Sequence, residues 1–252
     1  MAKGILQTVD RALVLLEVLA EYPQGLSNKE LEVLLELNKV TLHRLVTTLE
    51  NRGFIEKVGS NYLIGLKMVE LSSIKLNSIE LKTEAAPYLR ELVNILKQPV
   101  QLAILEGHEA IFIEKIQSVN SLRMYSQIGR RIPLYCSGVG KVLMLQDADE
   151  EILSKLSKKA FEKFTPKTLE SAEEVLEQVK RAREVGYAID DEEHEEGIFC
   201  MAVPIYDYRG KIIAAISTAG QNQEFVESPP ADSLALMKKT ASEISKRLGY
   251  IE

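Results

Sequence analysis

The first 65 residues hold three apolar stripes of helical period, each cut short by a helix stop. Val9, Leu13, Leu16 and Leu19–Ala20 recur at i, i+4, i+7 and i+10/11, which predicts one buried helix face. Pro23 and Gly25 end that helix. Ser27-Asn28-Lys29-Glu30 has the form of a capping box, in which the serine oxygen accepts from the Glu30 N–H and the Glu30 carboxylate reaches back. It opens a short helix through Leu31, Leu34 and Leu35 that stops near Glu36. Asn38 suits the cap of a third helix burying Leu42, Leu45, Val46 and Leu49, with Gly53 as its left-handed terminator. Phe54–Val58 and Tyr62–Ile64, around Gly59-Ser60-Asn61, read as a β-hairpin. Three short helices and a hairpin in this order predict a winged helix-turn-helix.

The apolar stripe of the third helix leaves Val40, His43, Arg44, Thr47, Thr48 and Asn51 on the opposite face. These side chains are of the kind that reach a major groove. Arg44 could grip a guanine, Thr47 and Asn51 could meet bases or phosphate, and Val40 could touch a thymine methyl. Lys39 stands at the helix start, where phosphate contacts are common. Ser60 and Asn61, at the hairpin tip, could meet flanking backbone. The same face could instead be a solvated surface that docks protein. The net charge of −6 argues against nucleic acid, but Lys39, Arg44, Arg52 and Lys57 outnumber Glu50 and Glu56 between residues 38 and 61.

Residues 66–82 read as a helical connector, which divides the chain into 1–66, 67–82 and 83–252. Beyond it the pattern becomes mixed. A helix over 85–97 turns Leu89, Leu92 and Leu96 inward. Strands are expected at 100–105, 110–116, 122–127, 132–135, 186–190, 199–206 and 211–218. Helices are expected from Ser137, over 149–157 and 171–185, and after Ser228-Pro229-Pro230. This is an α+β ligand-binding module.

Tyr135-Cys136-Ser137-Gly138-Val139-Gly140-Lys141 joins a strand to a helix. Small residues there either expose N–H groups to an anion or merely allow a tight turn. It is not a P-loop, because Tyr135 and Val142 stand where that pattern needs Gly and Ser/Thr. Asp190 through Glu196 is an acidic run with one histidine, read as a solvated charge run in preference to a metal site. Cys200 lies in an apolar strand, where a thiol is normally buried and inert. No nucleophile elbow, zincin pattern or carboxylate pair argues for catalysis, so no catalytic residue, metal or cofactor is expected. Two cysteines fit a reducing cytoplasm, and neither a secretory leader nor an apolar run long enough for a membrane span is evident.

These motifs resemble the IclR family of bacterial transcriptional regulators over nearly the whole chain. Thr8–Leu13 is similar to the family's opening signature. Lys39-Val40-Thr41-Leu42-His43-Arg44-Leu45 is similar to its recognition helix, with Val40 where a serine is common. Residues 129–141 and the run from Gly186 to Ile205 are similar to its later signatures. The resemblance implies a winged helix-turn-helix, a linker helix and a C-terminal GAF-like effector-binding domain. It implies a double-stranded DNA operator as partner, a dimer or tetramer, and a small carboxylate effector such as a keto acid, sugar acid or aromatic acid. On it, Lys39, Val40, Thr41, His43, Arg44, Thr47, Asn51, Ser60 and Asn61 would face DNA. The effector's carboxylate would meet the amides of Gly138 and Val139. Asp190, Cys200 and Ser217 would supply polar contacts, with Met124 and Ile132 as apolar wall. Ala219 replaces a second serine often found two residues after Ser217. The expected function is a repressor of a catabolic operon. The alternatives are a metabolite-sensing scaffold that docks protein, or an enzyme using Asp190, His194 or Cys200.

Overall fold

A computed structural model describes residues 6–77, 80–117, 127–157, 160–221 and 233–251. The chain forms two compact units that divide between Ser78 and Ile79, within the segment read as the connector.

The first unit contains α1 (Gln7–Glu21), β1 (Leu26–Ser27), α2 (Asn28–Leu34), α3 (Lys39–Asn51), β2 (Ile55–Val58), β3 (Asn61–Ile64) and α4 (Leu66–Asn77). The capping box forms in full: Ser27 Oγ accepts from the Glu30 N–H, and the Ser27 N–H donates to Glu30 Oε2 at 2.7 Å. Asn38 caps α3 by accepting from the Thr41 N–H at 2.9 Å. At the other end Gly53 has φ +73°, and the N–H groups of Gly53 and Phe54 donate to the carbonyls of Glu50 and Leu49. That crossed pair is a Schellman closure, which few residues with a Cβ would tolerate. The core joins Leu31, Leu42, Leu45, Val46 and Leu49 to Leu15, Leu16 and Leu19.

The stripe read on α1 needs correction. Val9 and Leu13 are 53% and 54% exposed, and the buried face runs through Leu15, Leu16 and Leu19. Four apolar residues stand in a row at 13–16, so period alone permits two stripes, and packing against α3 and β3 selects one. The two-residue β1, which pairs Leu26 with Tyr62 and Ser27 with Asn61, went unforeseen because two residues carry no period.

The second unit contains α5 (Glu80–Leu96), β4 (Val100–Glu106), β5 (Glu109–Ile116), β6 (Arg131–Pro133), α6 (Gly138–Leu143), α7 (Asp149–Leu156), α8 (Ala172–Val185), β7 (Ala188–Asp191), β8 (Ile198–Tyr206), β9 (Ile212–Gln221) and α9 (Ser233–Arg247). The strand expected at 122–127 and the start of the last helix at 228 fall outside the described residues, apart from Gln127. Six strands form one antiparallel sheet in the order β6-β5-β4-β9-β8-β7. Helices α5 and α9 pack on each other, and α6 packs across five strands, β4, β5, β7, β8 and β9. The strand residues under α6 are small: Ala103, Ala188, Ala202 and Ala215 share its core cluster. Gly140 completes the fit, because a Cβ there would stand 2.4 Å from Leu134 Cα and 2.5 Å from the Leu134 carbonyl oxygen.

Candidate functional site

In the first unit, Lys39, Val40, His43, Arg44, Thr47, Thr48 and Asn51 are all exposed on α3, opposite its buried stripe. Val40 is 71% exposed, an apolar side chain held in water on a face otherwise made of polar and basic groups. Thr41 is half-buried and its N–H is held by Asn38. The Thr48 hydroxyl donates to the Arg44 carbonyl at 2.7 Å, so it serves the helix itself. Thr41, Arg44 and Thr48 also edge a groove shared with Val9 and Leu13 of α1, which gives those exposed apolar residues a setting. At the hairpin tip Ser60 is exposed, while the Asn61 amide donates to the Gln24 carbonyl at 3.2 Å. Asn61 therefore braces the hairpin against the loop after α1.

In the second unit, one cavity of about 50 Å³ gathers Ile132, Gly138, Val139, Asp190, Cys200 and Ser217. Met124 lies outside the described residues. The sheet register explains the convergence. Asp190 pairs with Cys200, and Cys200 pairs with Ala219, which makes one cross-strand row. Two residues along β9, Ser217 pairs with Ala202 on one side and Gln101 on the other. Paired residues share a face of the sheet, so four strands present these side chains to one space. Gly138, where α6 starts, closes it: a Cβ there would lie 3.4 Å from the Ala202 Cβ and 3.7 Å from the Asp190 nitrogen. The N–H groups of Gly138 and Val139, at the first two positions of α6, can have no intrahelical acceptor. The strand-to-helix junction thus divides its labour: Gly140 permits the packing, and Gly138 borders the cavity.

Sequence reasoning missed Gln101, Phe112 and Ile198 on the cavity wall. It also misjudged the acidic run. Asp190, Glu193 and His194 are buried at 4%, 6% and 9% exposure, so the run is not simply solvated. Lys141, 1% exposed, donates to Glu193 Oε1 at 2.5 Å and to the Ile189 carbonyl at 2.9 Å. A buried lysine left without its acid would be strongly destabilising, so this pair pins the 190s loop to α6. The segment before α8 clamps the same loop from outside. Thr168 Oγ1 donates to the Glu193 carbonyl and Thr165 Oγ1 to that of Glu192, both at 2.6 Å. Lys167 pairs with Asp191 and Glu192, and the Phe164 ring lies 4.6 Å from that of His194. The sequence hid this, because the partners lie about 25 to 50 residues away.

Burial, reinforced by the Glu193 charge, pushes the Asp190 carboxyl up to about 7, against the N–H of Glu193 that donates to its Oδ1 at 2.7 Å. Burial raises Glu193 as well, opposed by Lys141. Cys200 is partly accessible through the cavity, and desolvation together with the Asp190 charge holds its thiol well above the usual range. A thiol so held is a poor nucleophile. His194 is lowered by burial and by Arg130. Among the described residues, no group of three or more His, Cys, Asp or Glu is placed to hold a metal ion. No described helix is long and apolar enough to cross a membrane.

Residues 8–59 match the IclR helix-turn-helix domain, and residues 74–246 match the bacterial transcriptional regulator IclR C-terminal domain. The chain belongs to the IclR family. Among curated relatives of this IclR-family chain, the transcriptional regulator XynR of Escherichia coli K12 is 34% identical over 248 residues, covering 98% of each chain. The transcriptional repressor AllR of the same strain is 31% identical and covers 96% of this chain and 90% of its own. Among solved structures, an IclR homologue from Microbacterium hydrocarbonoxydans, complexed with 4-hydroxybenzoate, superposes with a TM-score of 0.82 at 23% identity. It covers 96% of this chain and 98% of its own, a likeness of fold. The named relatives are transcriptional regulators and not enzymes, and the helix-turn-helix assigns this chain to DNA binding.

Proposed function

We propose that this IclR-family chain represses a catabolic operon and that a small carboxylate, such as a keto acid or sugar acid, controls its affinity for the operator. The observation that carries the effector half is the meeting of Gly138, Val139, Asp190, Cys200 and Ser217 around one cavity, although they are spread over 80 residues of chain. Two backbone N–H groups that have no intrahelical acceptor suit a carboxylate, and the buried polar side chains around them suit a second oxygen of the same molecule. The cavity volume supports a compact ligand, since a water needs about 10–15 Å³ of such space. The DNA half rests on the exposed arc from Lys39 to Asn51. Arg44 and Asn51 read base edges, Lys39 and Thr47 engage phosphate, and Val40, Thr41 and His43 complete the contact, with Ser60 and Asn61 at the flanking backbone. The head comprises residues 1–66, the connector 67–82 and the effector domain 83–252. The working species is a cytoplasmic dimer or tetramer, with two α3 helices set about one helical turn of DNA apart. Repression is favoured by the relative named as a repressor, and a carboxylate effector by the ligand of the Microbacterium homologue.

The test is binding of the full chain to DNA from upstream of its own gene and its neighbours, with and without a panel of organic acids. The expected result is salt-dependent binding that one acid weakens. Absence of salt-dependent binding would refute the DNA half. Affinity indifferent to every acid, with no acid raising the unfolding midpoint, would refute the effector half.

A further inference from the structure

The β4–β9 side of the cavity carries a hydrogen-bond pair with a fixed polarity. Gln101 and Ser217 are direct register partners, 2% and 4% exposed, and both line the cavity. The Ser217 hydroxyl donates to Gln101 Oε1 at 3.0 Å. A serine hydroxyl has one proton and two acceptor lone pairs. With its proton directed along the wall to Gln101, Ser217 meets the cavity as an acceptor. The next residue of β9 on the same face is Ala219, which lines the cavity with a methyl group and offers no hydroxyl. The neighbouring wall, from Phe112, Ile132 and Ile198, is apolar.

This polarity discriminates between ligand oxygens. A ligand hydroxyl donates to Ser217 and is satisfied. A ketone oxygen can only accept, so at Ser217 it sets lone pair against lone pair, and a buried polar atom left that way is expensive. Resting on the reading that the cavity takes a small carboxylate, we propose that the Gln101–Ser217 pair makes it select a hydroxy acid over the keto acid of the same carbon skeleton. Gln101 acts as a positioning residue, through the hydrogen bond it accepts from Ser217.

Calorimetric titration of the full chain with matched acids tests this: 2-hydroxypropanoate against 2-oxopropanoate, 2-hydroxybutanoate against 2-oxobutanoate, and glycerate against hydroxypyruvate. In the unaltered chain the hydroxy member should bind roughly tenfold tighter or better. Gln101→Met, of similar length but without the acceptor, frees the Ser217 proton for the cavity and should move the preference toward the keto acid. Ser217→Ala should bring the ratio close to one. If Gln101→Met fails to fold, the smaller Ser217→Ala change decides alone. Equal affinities, tighter keto acids, or a ratio untouched by both substitutions would overturn the proposal and leave the carboxylate reading standing. Binding of no acid in any pair would overturn this proposal, while the carboxylate reading falls only if the wider panel of acids fails as well.

Discussion

The two units place their candidate sites in opposite ways. In the first, the side chains we propose to face DNA lie on one helix of 13 residues and on the hairpin tip that follows. Their geometry is that of a single helix, and they point away from the core. In the second, the cavity draws residues from β4, β5, β6, α6, β7, β8 and β9, and its β4–β9 pairing sets Gln101 beside Ser217, 116 residues away in sequence. A surface reader can be changed one side chain at a time with little effect on folding. A cavity built across a sheet couples recognition to stability, because its lining is also its core.

The largest expected effect probes that coupling. Gly140→Val would drive side-chain atoms into the Leu134 backbone, and should cost about 3 kcal/mol or more, seen as a lowered thermal midpoint and loss of acid binding. An unchanged midpoint would mean that α6 is not held as tightly as its contacts require. On the other side of the comparison, Arg44→Ala should weaken DNA binding by roughly 1–3 kcal/mol if it reads a base, while denaturant unfolding stays within about 0.5 kcal/mol. A matching loss of stability would show that the head, too, couples reading to folding.

A third measurement concerns Asp190. Its carboxyl is raised to about 7 in the fold, so the neutral form predominates below pH 7 and the charged form above it. An anionic effector beside a charged Asp190 is disfavoured, so binding above pH 7 takes up a proton. Affinity should then fall by up to about tenfold per pH unit above 7, and Asp190→Asn should flatten the profile. The stability sign is the same: the contribution of a raised carboxyl is full below its unfolded value near 3.8 and is lost as pH rises through 7. Asp190→Asn should therefore gain in relative stability between pH 5 and pH 8, which unfolding at the two pH values checks. The smallest effect is local to the head. Asn38→Ala removes the acceptor for the Thr41 N–H and should cost about 1 kcal/mol, with DNA affinity falling only as far as α3 frays.

How much was legible beforehand follows the same divide. The capping box, the Asn38 cap, the Gly53 closure and the buried stripe of α3 all lie within a few residues of what they act on, and each formed as read. On α1, by contrast, adjacent apolar residues allowed two faces: of the stripe read, Leu16 and Leu19 are buried, but Val9 and Leu13 are exposed and Leu15 joins the core in their place. The acidic run was misread for a related reason: Lys141 and Thr168, which bury and hold Glu193, lie far from it in sequence. Gln101 gave no signal at all, since a glutamine in an apolar strand acquires meaning only when Ser217 arrives beside it.

Local chemistry, acting over one turn of helix or one hairpin, determined from sequence alone where α2 begins, where α3 begins and ends, which face α3 buries, and that basic side chains outnumber acidic ones between residues 38 and 61. Hydrogen-bond and apolar preferences act at short range, so they are readable at short range. Tertiary structure alone decided which face of α1 is covered, that the acids of the 190s loop are partly interior, and which wall atoms meet across the cavity. Those outcomes depend on strand register and on charges paired across long stretches of chain, and a register shift of one residue would turn Ser217 and Asp190 to the other face of the sheet.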